Sequence, residues 1–366
     1  MQTRDFHDGA QDGLEALEAL DPEQIHSFSD LLAAMQKTAF GGRRVGEAFT
    51  ILKEMIADPD CFVVLTLSGA MTIAKMGKII CTMIDRDMVQ AVVSTGALVA
   101  HGMSEAVGQT HYKYHPAMSD VELFEKGYNR VYDTLEMELN LNHVEHVVGQ
   151  TLKRLDPSQS LSSALLTREL GRTLVDEFKG PGILKSAFLK NVPVYIPAFT
   201  DSELGLDVSI WGMGQHHESH DTTHSENGPA LWKTLSQHPP TFNPYLDLNS
   251  YTEQLLGAKR LGILTIGGGV PRNWAQQTPP YIEILNLRLN TQLTPPRFHY
   301  GVRICPEPDY WGGLSGCTYQ EGISWGKFVP PKEGGRFAEV LSDATVIWPL
   351  LVMGLLEAFP NKTTDG

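Results

Sequence analysis

The sequence is poor in cysteine: four in 366 residues, Cys61, Cys81, Cys305 and Cys317, with no Cys-x-x-Cys pair. That excludes a disulfide framework and leaves reduced, buried thiols as the expectation. No stretch approaches the roughly 18 uninterrupted apolar residues that a membrane span needs. The first twenty residues carry Asp5, Asp8, Asp12, Glu15 and Glu18 where a secretory signal has a basic start and an apolar run, so a cytoplasmic protein with no membrane partner is expected. Positive charge is also scarce, 29 Lys and Arg against 43 Asp and Glu, a formal net charge of -14. Such a field repels phosphate backbones, which argues against a nucleic-acid partner, and it suits a polycationic small molecule, although many acidic proteins bind none. Internal repeats and low-complexity linkers are absent. With 42% hydrophobic and 20% charged residues, the chain is an ordinary globular one able to bury a substantial core.

Hydrophobic spacing divides the chain. Leu14, Leu17 and Leu20 sit three apart, and Phe28 to Met35 and Val45 to Met55 follow at mixed three and four spacing, so residues 11 to about 57 read as a helical N-terminal extension. From Cys61 the period changes. Cys61-Phe-Val-Val-Leu-Thr-Leu67 is a continuous apolar run closed by Ser68-Gly69, the pattern of a buried parallel strand entering a turn. A helix follows through Ile73, Met76, Ile79, Ile80 and Met83. Met88 to Ser94 repeats the pattern, closing at Thr95-Gly96 before a helix from Leu98 to Val107. Ser119 to about Phe188 reads as three or four surface helices. Strands return at Val192 to Ile196, Arg260 to Ile266, Phe298 to Ile304 and Ala338 to Leu341, and a helix from Thr345 to Phe359 ends the pattern. The alternation predicts an α/β fold, a doubly wound, mostly parallel sheet with helices on both faces, with residues 58–366 as a single domain behind the extension at 1–57.

The chemistry is expected at strand ends. Thr66 to Gly69, Ser94 to Gly96, Thr200-Asp201, Gly267 to Gly269 and Ser342-Asp343 are all small or acidic, and glycine at a strand's carboxyl end lets backbone N–H groups approach a phosphate. Together they suggest a dinucleotide. None matches the Gly-x-Gly-x-x-Gly fingerprint, and each alone reads as plain strand punctuation. The second feature is Ser315-Gly-Cys-Thr-Tyr-Gln-Glu-Gly-Ile-Ser-Trp-Gly-Lys327. A lysine set between Trp325-Gly326 and an apolar stretch would lose charge on burial, exposing a neutral amine able to form a Schiff base. On these residues alone, a structural lysine snorkelling from an apolar surface is the default.

Glu321-Gly-Ile-Ser-Trp-Gly-Lys327 resembles the active-site motif of deoxyhypusine synthases. The resemblance runs from about Val63 to Leu351 through Thr95-Gly96, Pro197-Ala-Phe-Thr-Asp201, Gly267-Gly-Gly-Val-Pro271 and Ser342-Asp-Ala-Thr345, in family order. It implies NAD as cofactor, held at Ser68, Gly69, Thr95, Gly96, His101, Asp201, Gly268, Ser342 and Asp343. It implies Lys327 as the residue carrying a covalent imine, with Glu321, Trp325, Asn273 and Asp207 around a polyamine such as spermidine. Trp325 would form an aromatic wall, its cation–π contact worth roughly 0.5–2 kcal/mol. Without the motif, Glu321 is a solvated glutamate, Trp325 a core tryptophan and Asp201 a turn or helix N-cap. The acceptor implied is a protein lysine, the assembly a homotetramer with sites across an interface, and no metal is called for.

The chain also departs from the eukaryotic pattern. Leu314 stands where an aspartate anchors a terminal ammonium, Asn273 where a histidine contacts substrate, Leu206 where a substrate aspartate falls, with Asp207 one residue later, and His101 where the cofactor site has a glutamate. Each charge-assisted hydrogen bond lost is worth about 1.5–3 kcal/mol, so the substrate is expected to differ. The prokaryotic synthase-like group fits best. The alternatives are a homospermidine synthase-type transfer to a small amine, a non-catalytic NAD or polyamine binder, and an ordinary dehydrogenase. Gln215-His-His-Glu-Ser-His-Asp-Thr-Thr-His224 has no family counterpart; its spacing fits no zinc motif, and it reads as a solvated loop.

Overall fold

The apolar runs Cys61–Leu67 and Arg260–Ile266 pair in parallel along their whole length, Cys61 opposite Arg260 through Leu67 opposite Ile266. Both are apolar at successive positions because both faces of the sheet are covered. In this computed structural model, residues 6–156, 158–217, 228–237 and 239–360 are described. The elements begin with α1 (Phe28–Gln36), α2 (Phe40–Ala57), β1 (Cys61–Leu67), α3 (Gly77–Asp85), β2 (Ala91–Ser94) and α4 (Gly96–Ala106). Then come β3 (Tyr112–Lys113), α5 (Asp120–Glu125), β4 (Tyr128–Val131), β5 (Thr134–Met137), α6 (Glu138–Arg154), α7 (Ser163–Glu177), α8 (Ile183–Lys190) and β6 (Val194–Tyr195). The second half holds α9 (Glu203–His217), α10 (Pro229–Leu235), α11 (Pro244–Gly257), β7 (Arg260–Ile266), α12 (Gly269–Ala275), α13 (Thr278–Leu289), β8 (Tyr300–Ile304), α14 (Tyr319–Ser324), β9 (Arg336–Val340) and α15 (Ala344–Ala358).

Six strands form one parallel sheet in the order β6-β2-β1-β7-β8-β9. Taken by their sequence within this sheet they run 3-2-1-4-5-6, the doubly wound order, with the reversal between β1 and β7. Alternate side chains sort to the two faces. Val63, Leu65 and Leu67 join Phe49 of α2, Leu98 of α4 and Trp348 of α15 on one side. Val64 joins Tyr251 and Leu255 of α11 and Ala275 of α12 on the other. The expected α/β architecture with helices on both faces is therefore what the chain forms.

Three local expectations fail. Residues 11–20 are turn and extended chain, and Leu14 and Leu17 are 69% and 61% exposed. A short amphipathic stretch with no surface to bury against does not recover the cost of helix nucleation. The first α-helix starts instead at Ser27, whose side chain accepts from the Asp30 N–H. Residues 70–76 are turn, and α3 begins only at Gly77. The stretch read as surface helices contains a β4–β5 hairpin that turns at Tyr132-Asp133 and joins β3, just before the stretch, in a three-stranded antiparallel sheet of order β3-β5-β4. Its helices are also deeper than expected: α6 buries Val144, Val147 and Val148, and α7 buries Leu166, Leu170 and Leu174. Residues 218–224 of the histidine-rich stretch lie outside the described residues.

One buried carboxylate ties the edge strand to its helices. Asp247 of α11 accepts from the Ser163 N–H at 2.9 Å, the Ser163 hydroxyl at 2.7 Å and the Ala164 N–H at 3.0 Å. The Ser163 Oγ in turn accepts from the Ile196 N–H at 2.7 Å. Asp247→Ala orphans these buried donors and is expected to cost about 2–4 kcal/mol. A urea-unfolding midpoint within error of the parent would contradict that; Asp247→Asn should lose less.

Candidate active site

The reversal in strand order opens a crevice between the carboxyl ends of β1 and β7. Ser68, just past β1, accepts from the Gly268 N–H through its Oγ at 2.8 Å, and its own N–H donates to Ile266 O at 3.1 Å. The first two of the three glycines are required here for space. A Cβ on Gly267 would lie 2.3 Å from Ser68 Oγ, and one on Gly268 would lie 2.5 Å from Ser315 Cα. Gly69 and Gly269 take φ of +78° and +64°, and a Cβ on Gly269 would meet nothing within 4 Å. Bare backbone with open space above it, at the switch point of a doubly wound sheet, fits the phosphates of a dinucleotide.

The same glycines open α12, so the crevice floor and Lys327 are joined through one short helix. Asn273, four residues past Gly269 and about 6 Å along the axis, accepts from Lys327 Nζ through Oδ1 at 3.2 Å. Lys327 reaches it through the end of α14. Thr318 caps that helix, its side chain accepting from the Glu321 N–H at 3.1 Å. At the other end Gly326 is left-handed, with φ +70°. The Gly326 N–H donates to Ile323 O at 3.0 Å and the Lys327 N–H to Gly322 O at 3.1 Å, the paired bonds of a Schellman cap. Trp-Gly-Lys is thus a chain reversal that turns the lysine inward. Beyond it the Lys327 carbonyl accepts from the Phe298 N–H at 3.0 Å, fixing the residue from both sides.

Lys327 is 9% exposed, and among the described residues no carboxylate lies within ion-pair distance of its Nζ. Burial, the largest cause, lowers its pKa below the ordinary lysine value, and the neighbouring Arg272 adds to the effect; Cys317 and Glu321 oppose it. The Cys317 thiol is itself pushed up by burial and stays protonated near neutrality. Glu321 is exposed on α14, and Trp325 is 64% exposed in the single chain.

The other expected residues fall into three places. Thr95 and Gly96 form the β2–α4 turn, where a Cβ on Gly96 would strike Ser202 Oγ at 2.2 Å. Asp201 is exposed in the turn between β6 and α9, and Asp343 N-caps α15, accepting from the Thr345 N–H at 2.8 Å, with Ser342 beside it. Asp207 lies on α9, where burial pushes its carboxyl up to about 7, with Glu203 and Glu145 adding to the shift. It makes no hydrogen bond to the Lys327 group.

His101, on α4, contacts a carboxylate that the sequence reading missed. Its Nδ1 pairs with Glu136 of β5, a 2% exposed side chain that also accepts from Ser104 Oγ at 2.7 Å and lies 3.4 Å from His111 Nε2. Lys75 continues the chain, bonding His111 Nδ1 at 2.8 Å and Glu105 at 2.7 Å. Arg272 was missed as well: it is 2% exposed and donates to Cys317 O at 2.6 Å. Nothing around Pro271-Arg-Asn marks that arginine, and Glu136 sat in a stretch read as helix.

Burial alone would raise the Glu136 pKa, yet the donors from His101, His111 and Ser104 outweigh it and hold the carboxyl down at about 2. The unfolded value is near 4.3, so the contribution is complete above that pH and is lost as pH falls toward 2, on the order of 3 kcal/mol in all. Glu136→Gln is expected to lower stability at neutral pH and flatten the acid limb of a stability–pH curve. An unaltered acid limb would show that the carboxylate is not held this way.

Comparison with known proteins places this geometry in context. A family model described as deoxyhypusine synthase matches residues 30–355. A probable deoxyhypusine synthase 2 of Methanosarcina acetivorans is 31% identical over 93% of this chain and 88% of its own length. A deoxyhypusine synthase-like protein of Elusimicrobium minutum is 30% identical over 89% of this chain and 80% of its own. A crystal structure of an Entamoeba histolytica protein assigned as a deoxyhypusine synthase superposes with a TM-score of 0.56 at 12% identity, covering 92% of this chain and 96% of that one, a likeness of fold.

Proposed function

Because the chain belongs to the deoxyhypusine synthase family, we propose that it is an NAD-dependent transferase that moves an aminobutyl group from a polyamine to an acceptor amine through an imine on Lys327. The observation that carries the reading is the buried Lys327 amine, bonded to a neutral amide one helical turn from the glycines at the switch point. A structural lysine would be expected to hold a carboxylate or reach water.

Bound NAD would supply a hydride acceptor and later a hydride donor, so that a carbon–nitrogen bond becomes exchangeable with no net redox change. Ser68, Gly69, Gly268 and Gly269 would hold its phosphates, and Thr95, Gly96, Asp201, Ser342 and Asp343 past the other strands, with His101 on α4, would meet the rest of the cofactor. Lys327 then adds as a neutral amine to the imine carbon of the oxidised donor. For spermidine the bond to the aminopropyl nitrogen breaks, 1,3-diaminopropane departs with the two protons given up by Nζ, and the four-carbon fragment stays on Nζ as an imine. An acceptor amine adds to the same carbon and Lys327 leaves as free amine. Asn273 Oδ1 orients Nζ without fixing a proton on it, as a carboxylate would.

Glu321, at the exposed edge, suits one ammonium end of the donor, and Asp207 another. Tyr310, Trp311, Leu314 and Trp325 are exposed around the lysine segment, apolar surface that neighbouring subunits of a homotetramer would cover.

Incubation with NAD and spermidine followed by borohydride is expected to add a reduced butylamine to the peptide carrying Lys327. Lys327→Ala and Lys327→Arg should abolish both the adduct and product formation, a loss of at least about a thousandfold for a nucleophile. Adduct formation in Lys327→Ala would refute the role. Offering putrescine and a lysine-bearing protein substrate as alternative acceptors separates a small-amine from a protein-modifying transfer.

A further inference from the structure

Among the described residues Arg272 is a buried cation without an ion-pair partner. Its Nη1 donates to the Cys317 carbonyl and its guanidinium lies 5.3 Å from the centre of the Tyr319 ring, while the buried Nε and Nη2 find no partner among the described residues. Glu339, the carboxylate whose field reaches it, is taken up by Arg303 at 2.8 Å and by the Tyr319 N–H at 2.6 Å. Burial lowers the Arg272 pKa, but a guanidinium starts so high that it stays charged. Stability alone disfavours such an arrangement, since an unpaired buried charge keeps its desolvation cost.

The group beside it is Lys327, whose amine bonds the next residue along α12, Asn273. We infer that Arg272 is a positioning residue that favours the amine form of Lys327 by repelling the ammonium through the buried space they share, where, among the described residues, no carboxylate pairs with either group. The inference rests on Lys327 being the imine-forming lysine. The groups facing Lys327 are Arg272 and Asn273 from α12, Cys317 from the preceding loop and Glu321 from α14; those facing Arg272 are Tyr319, Cys317, Arg303 and Glu339. Near neutral pH the Cys317 thiol is uncharged, which leaves two charges of opposite sign acting on Lys327. Glu321 is exposed and screened by solvent, whereas Arg272 acts through low-dielectric surroundings, so the cation prevails.

The test reads Lys327 alone: reductive labelling of the full chain with butyraldehyde and cyanoborohydride across the neutral-to-alkaline range, with the Lys327 peptide quantified by mass spectrometry. Arg272→Met is expected to raise the labelling midpoint by about one pH unit, an about tenfold slower labelling near neutrality, and Arg272→Lys to restore it. A second variant leaves Arg272 in place. Gln276, one turn along α12, is 4% exposed with its Nε2 unpartnered, and Gln276→Glu puts a carboxylate beside the guanidinium. It is expected to raise the midpoint in the same direction, and it decides the matter should Arg272→Met not fold. A purely structural arginine would change the melting temperature and leave the midpoint alone. Coincident profiles for the parent and either folded variant would overturn the assignment. Failure to label Lys327 in the parent at any pH would instead remove the lysine reading itself, and this inference with it.

Discussion

The molecule is organised around an amine that is buried without an acid. A lysine taken out of water normally brings a carboxylate with it, and the pair remains charged. Here the lysine is given a neutral amide, and the buried Arg272 that acts on it has the same sign of charge as its own. The Schellman reversal at Gly326 makes this possible, because it turns Lys327 inward and spends both backbone bonds of the turn on holding it there. Without the reversal the side chain would continue outward from the end of α14, on the side where Trp325 is exposed.

The fold supplies the second half of the site through a shared element. The glycines that close β7 leave open backbone at the switch point, and they also start the helix that carries Arg272 and Asn273. Ser315, early in the lysine segment, packs against Gly268, so the segment is seated on the same turn from the other side. Arg303 braces it by donating to the Ser315 carbonyl while pairing with Glu339. The open glycine turn and the buried Lys327 amine are thereby placed within a helical turn of each other by residues that mostly make no chemistry of their own.

Much of this was legible in the residues. Cys61–Leu67 and Arg260–Ile266 announced themselves as buried parallel strands because continuous apolar runs of that length have few other uses, and the glycines after them marked the crevice. Lys327 was legible only through resemblance of its surrounding motif, since an apolar neighbourhood does not by itself separate a nucleophile from a snorkelling side chain. The strand order followed the doubly wound pattern even though the usual glycine fingerprint is missing, because topology is set by which strands are buried on both faces and not by the turn that binds the ligand. The misses have a common cause. Arg272 and Glu136 matter through what they meet across long stretches of chain, Arg272 with Cys317 and Glu136 with His101, and spacing along the sequence carries no record of such meetings. The segment at 11–20 failed in the opposite direction, its periodicity being present while the surface it needed was not.

The central claim is that burial beside a second cation lowers the pKa of the Lys327 amine below that of an ordinary lysine. Direct titration by nuclear magnetic resonance of the Lys327 side chain, isotopically labelled and identified by loss of its signal in a Lys327 variant, measures this without any reaction. The account predicts a midpoint clearly below the free-lysine value of about 10.4, set apart from the surface lysines of the same chain. A midpoint at or above that value, with the signal moving together with theirs, would contradict it.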